Sequence, residues 1–295
     1  MHPPILQKLK KRMAQTEHIN ILKFIEGKAI SVTDQVAVEE PLEIQLAYST
    51  STGRMQKPVA VTMRTPGHDR ELAAGFLFTE GIIRHHNTIE DIRHIPGDEN
   101  RIVVAIKENI LPNLQKAERN FYTTSSCGVC GKASIDAIET GWEHSPAPDS
   151  IVIQADLLYS LRESAYQSQP VFEATGGLHA STIFNLDGSY FLLREDVGRH
   201  NALDKLIGFA LLSDRLPLGH CILLLSGRAS FELLQKAAMA GIKIVVALGA
   251  PSSLAVELAK DAGITLVGFL KPDRFNIYSG EHRIKTDSFG KHGKT

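Results

Sequence analysis

The sequence predicts a mixed α/β fold (α+β in its first half), and two observations carry that reading. In the second half, a continuous apolar run at 221–225 and two further largely apolar segments at 242–248 and 264–269 alternate with segments of helical pattern, as buried strands joined by helical crossovers do. In the first half, 29–39 is rich in β-branched residues, and apolar and polar residues alternate at period two over 42–46 and the second half of 58–64, as strands do when one face meets a core and the other meets water. The bulk numbers agree: 43% hydrophobic and 22% charged residues are the balance of an ordinary globular chain, and 295 residues make one large domain or two modest ones.

The same numbers exclude several function classes. Lys+Arg 32 against Asp+Glu 33 leaves no global field to attract nucleic acid. No apolar run approaches the roughly 20 residues that cross a bilayer, and Met1-His2-Pro3-Pro4 lacks the apolar core of a secretory leader. Three cysteines in a chain this long do not form a disulfide framework, so a reducing cytoplasm is the expected compartment.

Taken in order, residues 1–28 carry Lys8, Lys10, Lys11, Arg12, Lys23 and Lys28 and read as a solvated, partly helical basic leader. Strands follow over 29–39, 42–46 and 58–64, with Ser49-Thr50-Ser51-Thr52-Gly53 as a turn. Pro66-Gly67-His68-Asp69 opens a helix with Asp69 as its N-cap and Gly81 as its stop. Short strands are expected at 89–95 and 101–106, a helix over 133–139, a linker at Pro146-Ala147-Pro148 and a second helix over 155–169. Strands at 182–185 and 190–194 precede a helix over 202–212. Helices after Arg228 and from Pro251 then separate the three apolar strands, the first ending near Gly241 and the second at Gly263.

The most reactive stretch is Thr123-Thr124-Ser125-Ser126-Cys127-Gly128-Val129-Cys130-Gly131-Lys132. A Cys-x-x-Cys pair at a helix start gains from uncapped N–H groups and the helix dipole, and Lys132 adds a cation; all of these lower a thiol pKa. Four readings are open: a thiol that carries a group such as a persulfide sulfur, a zinc site, a dithiol–disulfide oxidoreductase, and a structural pair. Zinc lacks a full ligand set at a recognised spacing, although His179, His200 and His220 exist. A nucleobase deaminase is disfavoured, since no His-x-Glu lies upstream of the pair.

Three other clusters bear on ligand binding. Ser226-Gly227-Arg228, Pro251-Ser252-Ser253 and Lys271-Pro272-Asp273-Arg274 each follow one of the apolar strands. Glycine turns, hydroxyls and helix N-termini with nearby cations suit a phosphate-bearing ligand, although such loops are often only helix caps. Asp196, Arg199 and His200 form a polar knot that reads either as an internal salt-bridge network or as a site orienting a ligand or partner. His179, after Gly176-Gly177, is equally a ligand contact or a satisfied structural histidine. Cys221 reads as an inert core thiol.

Several of these motifs together closely resemble one family. They are Ser125-Ser126-Cys127-Gly128-Val129-Cys130-Gly131, Thr175-Gly176-Gly177-Leu178-His179-Ala180 and Glu195-Asp196-Val197-Gly198-Arg199-His200-Asn201-Ala202-Leu203-Asp204-Lys205, with Ser226-Gly227-Arg228 and Ala250-Pro251-Ser252-Ser253-Leu254-Ala255. The family is FdhD/NarQ, the formate dehydrogenase accessory sulfurtransferases, and the resemblance runs from about residue 43 to 278. It implies a cytoplasmic homodimer with a cytidine deaminase-like mixed sheet flanked by helices and a smaller β-rich N-terminal subdomain. It implies that Cys127 receives sulfur as a persulfide from a cysteine desulfurase, with Cys130 assisting, and that the sulfur passes to bis-molybdopterin guanine dinucleotide for a formate dehydrogenase. That cofactor is a bound substrate, and no permanent metal is expected. The implied cofactor-binding positions are Phe269, Leu270, Lys271, Pro272, Asp273 and Arg274, joined by Ser226, Gly227, Arg228, Ser252, Ser253 and His179. Lys271 stands where the family pattern has Arg, keeping the charge without the two-pronged fork. The organisation expected is a leader over 1–28, a β-rich subdomain over 29–120, a sulfurtransferase domain over 121–278 and a tail over 279–295. The competing readings are a cofactor chaperone without cysteine chemistry and a zinc-bound structural module.

Overall fold

The structure, a computed structural model, describes residues 14–113 and 150–285. The readings placed on Cys127, Cys130 and the helix over 133–139 lie outside the described residues. In chain order the strands are β1 (Thr16–Ile25), β2 (Lys28–Ala37), β3 (Glu40–Thr50), β4 (Gly53–Arg64), β5 (Ile89–Ile95), β6 (Asp98–Ile106) and β7 (Ile153–Gln154). They continue with β8 (His179–Asn185), β9 (Tyr190–Asp196), β10 (Cys221–Leu225), β11 (Ile244–Ala247), β12 (Thr265–Gly268), β13 (Asn276–Ser279) and β14 (Ile284–Lys285). The helices are α1 (Asp69–Thr79), α2 (Ala155–Gln167), α3 (Pro170–Thr175), α4 (Arg199–Leu212), α5 (Phe231–Met239) and α6 (Ser253–Asp261). The mixed α/β class holds.

The described residues fall into two compact units. The first takes in 14–113, 169–181 and 194–216, and the second 150–168, 182–193 and 217–285. The first unit thus closes its β-rich N-terminal stretch with α3 and α4, which lie far along the chain.

The first unit holds a four-stranded sheet in the order β4-β3-β6-β5. β3 is parallel to β6, and both outer pairs are antiparallel. The period-two pattern of β3 is visible in burial: Leu42, Ile44 and Leu46 are fully buried, while Glu43 and Gln45 between them stay partly exposed. Residues 16–25 are a correction to the sequence reading. They form β1, paired with β2 from Thr16↔Ala37 to Ile25↔Lys28, and not a helical leader. The charges there misled; the β-branched Thr16, Ile19, Ile21 and Ile25 of β1, with Ile30, Val32 and Thr33 of β2, favour a strand, and Glu26 and Gly27 supply the two left-handed residues of a tight hairpin turn, at φ 49° and 78°.

Helices α1 and α4 touch at glycines. A Cβ on Gly75 would stand 1.9 Å from the Asp204 carbonyl oxygen, and one on Gly208 would stand 1.8 Å from that of Glu71. Only the missing side chains allow the two backbones this approach. Asp69 is the second correction. It is the first helical residue, while His68 takes the N-cap position with φ 57° and no side-chain cap bond. Asp69 is occupied elsewhere: its carboxylate accepts from Arg64 Nε and Nη2, both at 3.0 Å, in a buried two-pronged pair.

The second unit is built on a six-stranded sheet in the order β13-β12-β11-β10-β8-β9. β10, β11 and β12 are parallel, as their largely apolar segments separated by helices predict, and β13 closes the edge antiparallel. Ile222, Leu224, Ile244, Val246 and Val267 from these strands pack with Phe184 of β8 and with Leu158, Leu161 and Ala165 of α2. β13 and the two-residue pair β7–β14 went unread in the sequence, being only four and two residues long.

Gly75→Ala and Gly208→Ala should each lower the unfolding free energy by at least about 2 kcal/mol, the cost of overpacking a close backbone contact. Gly177→Ala, whose Cβ would meet nothing closer than 3.8 Å, should change it little. Urea midpoints of the three variants measure this, and equal midpoints would contradict it.

Candidate functional site

Because β10, β11 and β12 run parallel, their C-terminal ends open on the same edge of the sheet, where α/β proteins hold ligands. The three loops that follow are joined backbone to backbone. Leu248 N donates to Leu225 O at 3.0 Å and Gly249 N to Gly227 O at 3.0 Å; Ala229 N donates to Ala250 O at 3.1 Å and Ser252 N to Ala229 O at 3.0 Å. Phe269 N donates to Gly249 O at 3.0 Å and Leu270 N to Ala247 O at 3.2 Å, which adds the third loop. Gly249 is the centre of this weave. A Cβ there would come within 3.0 Å of Arg228 N and Gly227 O, so the close approach requires glycine. The sequence reading missed Gly249, whose signal was a glycine directly after a buried strand and before Ala250-Pro251.

The side chains on this frame divide by role. Ser252 caps α6, its hydroxyl accepting from Ala255 N at 3.3 Å, while Ser253 is exposed. Ser230 holds the N-cap position of α5 without a cap bond, and its buried Oγ has no hydrogen-bond partner among the described residues. Arg228, Lys271 and Arg274 are exposed, and none has an ion-pair partner among the described residues. Residues 271–274 form a short turn closed by Lys271 N donating to Arg274 O at 2.8 Å, with Pro272 and Asp273 exposed between them. Phe269 sits at φ 53° and is 40% exposed. Leu270 is different: its side chain is fully buried in the core, so only its backbone faces the loops. Two helix N-termini, three unpaired cations and several hydroxyls on one sheet edge can hold a phosphate or pyrophosphate.

Ser226, Gly227, Arg228, Ser252, Ser253 and residues 269–274 are thus brought together. His179 stands instead in the first unit, beside the polar knot. Most of that knot is structural. Asp196 and Lys205 form a fully buried pair at 2.7 Å. Glu195 caps α3, accepting from Val171 N at 3.2 Å and Phe172 N at 2.8 Å, while burial pushes its carboxyl pKa up. Asn201 Nδ2 donates to Met63 O at 2.7 Å. Arg199 is the exception: it is half-buried and has no ion-pair partner among the described residues. The His179 pKa lies below its ordinary value, first through burial and then through the positive charges of Arg199 and His200, with Asp196 opposing. Cys221 opens β10 and is half-buried, less enclosed than the core thiol expected from its apolar neighbours.

The fold and the loop cluster define a mixed α/β protein that presents an anion-suited platform at the ends of three parallel strands. Residues 37–285 match the model of the FdhD/NarQ family, and the chain belongs to that family. It is 47% identical over 279 residues to the sulfur carrier protein FdhD of Mycolicibacterium paratuberculosis, covering 92% of this chain and 100% of the relative. It is 36% identical over 270 residues to the protein of the same description from Saccharolobus solfataricus, covering 92% and 98%. A solved structure described as a formate dehydrogenase accessory protein from Desulfotalea psychrophila matches with a TM-score of 0.72 and 27% identity, over 92% of this chain and 100% of that one.

His179 should titrate below 6.5 by NMR, and Arg199→Gln, which removes one repelling charge, should raise its midpoint. A depressed histidine pKa favours the neutral form in the fold, so this contribution to stability is present above 6.5 and is lost as pH falls through the lowered value. A midpoint unmoved by Arg199→Gln would contradict the assignment.

Proposed function

We propose that the chain is a sulfurtransferase of formate dehydrogenase maturation. It takes sulfur from a cysteine desulfurase as a persulfide on Cys127 and delivers it to bis-molybdopterin guanine dinucleotide held at the strand-end loops. Family membership and the description of its relatives as sulfur carriers support the direction of this reading. The observation that carries it further is the loop cluster, whose cations Arg228, Lys271 and Arg274 have no protein counter-charge among the described residues and suit the diphosphates of a dinucleotide.

The chemistry balances with two thiols. The Cys127 thiolate attacks the outer sulfur of the donor persulfide, the S–S bond there breaks, and the donor cysteine leaves as thiolate. Cys130 thiolate then attacks the inner sulfur, which is Cys127 Sγ. The persulfide bond breaks, hydrosulfide leaves for the molybdenum, and a Cys127–Cys130 disulfide forms that a cellular dithiol reduces. The donor and recipient proteins are those of a cytoplasmic route; among the described residues no helix is long and apolar enough to cross a membrane.

A chaperone that inserts the cofactor without cysteine chemistry would use the same loops, and two measurements separate it. After incubation with a cysteine desulfurase and cysteine, intact mass should rise by about one sulfur atom on Cys127 and not in Cys127→Ala. Cys127→Ala should also leave the dehydrogenase without activity. An active dehydrogenase matured by Cys127→Ala contradicts the transfer reading. Independently, Arg228→Met with Lys271→Met should bind guanosine diphosphate about 10–100-fold more weakly, the worth of charge-assisted phosphate contacts, while still loading sulfur. Unchanged binding removes the loop assignment.

A further inference from the structure

The two carboxylates nearest the start of α4 are already engaged. Asp196 Oδ1 accepts from Gly198 N at 2.8 Å and from Asn201 Nδ2 at 3.1 Å. Its Oδ2 accepts from Lys205 Nζ at 2.7 Å and from Thr65 N at 3.2 Å. Four donors fill the lone-pair positions of a carboxylate. Glu195 is turned to α3, with Oε2 on Val171 N and Oε1 on Phe172 N.

Basic side chains gather beside these engaged carboxylates. Arg199 is the first residue of α4; it is half-buried, and its guanidinium has no hydrogen bond or ion pair among the described residues. His200 follows it on the helix and is buried. His179 comes from a second element. β8 and β9 are neighbours in one sheet, joined by a turn in which Asn185 N donates to Ser189 O at 3.0 Å. The first residue of β8, His179, therefore lies across from the end of β9, three residues before α4 begins. Its half-buried ring makes no hydrogen bond among the described residues. These groups are near enough to act on one another: after burial, the charges of Arg199 and His200 hold the His179 pKa down, with Asp196 opposing. The helix start itself is bare, since Gly198 at the N-cap brings no side chain and the first turn has no acidic residue.

We propose that Arg199, His179 and His200 form a binding site for a phosphate-class oxyanion. Donor counting favours this class. A guanidinium presents a flat fork that two oxygens of one group satisfy together. Imidazoles from two elements add further donors, more than the two oxygens of one carboxylate serve. A phosphate group brings three or more acceptor oxygens and up to two charges. The uncapped N–H groups of α4 add to the same preference. All three residues belong to the first unit, whereas the loops after β10, β11 and β12 belong to the second. The site is therefore tested independently of the loop assignment.

The probe is inorganic phosphate, added to the full chain at constant ionic strength with chloride as the reference anion. A bound anion favours the protonated imidazole, so the NMR titration midpoint of His179 should rise with phosphate and stay put with chloride. Phenyl phosphate, titrated alongside, separates a free ion from the phosphate end of a larger molecule: the one that moves His179 at the lower concentration names the source. Arg199→Gln should weaken the phosphate effect about 10-fold, and Arg199→Lys, which keeps the charge without the fork, should weaken it less. Arg228→Met with Lys271→Met should leave it unchanged. A wild-type midpoint indifferent to both phosphates, as it would be if a carboxylate of the chain already filled the place, overturns the site without any variant. A phosphate effect at full strength in Arg199→Gln with wild-type circular dichroism also overturns it, as does an effect abolished by the loop variant.

Discussion

The carboxylate of Asp196 is the fixed point of the first unit. It is wholly buried and accepts from Thr65 N at 3.2 Å, Gly198 N at 2.8 Å, Asn201 Nδ2 at 3.1 Å and Lys205 Nζ at 2.7 Å. Those donors come from the end of β4, the turn before α4 and two turns of α4 itself. Lys205 extends the tie, donating also to Thr65 O at 2.8 Å. A buried charge pair adds little net stability against an apolar alternative, but losing one partner costs about 3–5 kcal/mol because the other is left uncompensated. The arrangement therefore specifies one register of α4 against the sheet. That register lets Gly208 meet Gly75 at backbone distance, where any side chain would collide.

This explains how much of the molecule could be read beforehand. The parallel strands β10, β11 and β12 were legible because short, largely apolar segments between helical patterns have few alternatives at that length. β3 and β4 were legible from alternation. What failed was decided by contacts rather than local pattern: Asp69 looks like a cap but is held by Arg64, and the charges of residues 16–25 hide a strand. The glycine contact between α1 and α4 left only two isolated glycines inside helices, a signal without an address.

The candidate site shows the same division. The loops after the three strands announced themselves through Ser, Gly and Arg at strand ends, and the structure joins them through Gly249. The dense stretch from Glu195 to Lys205 looked no less functional, yet most of its polar groups hold the first unit together. Glu195 caps α3, Asp196 and Lys205 pair, and Asn201 binds the β4 backbone. Sequence cannot separate a polar group that holds a backbone from one that awaits a ligand, because both use the same donors and acceptors. The separation comes from counting partners, and in the second unit the side-chain charges of Arg228, Lys271 and Arg274 have no ion-pair partner among the described residues.

On the proposed function, one chain both carries sulfur and holds its recipient. Loading the chain with ³⁵S on Cys127 and mixing it with cofactor-containing, inactive formate dehydrogenase tests it most directly. Label should leave the chain, appear on the cofactor and rise there in step with dehydrogenase activity. Activity that appears while the label stays on Cys127 would contradict it.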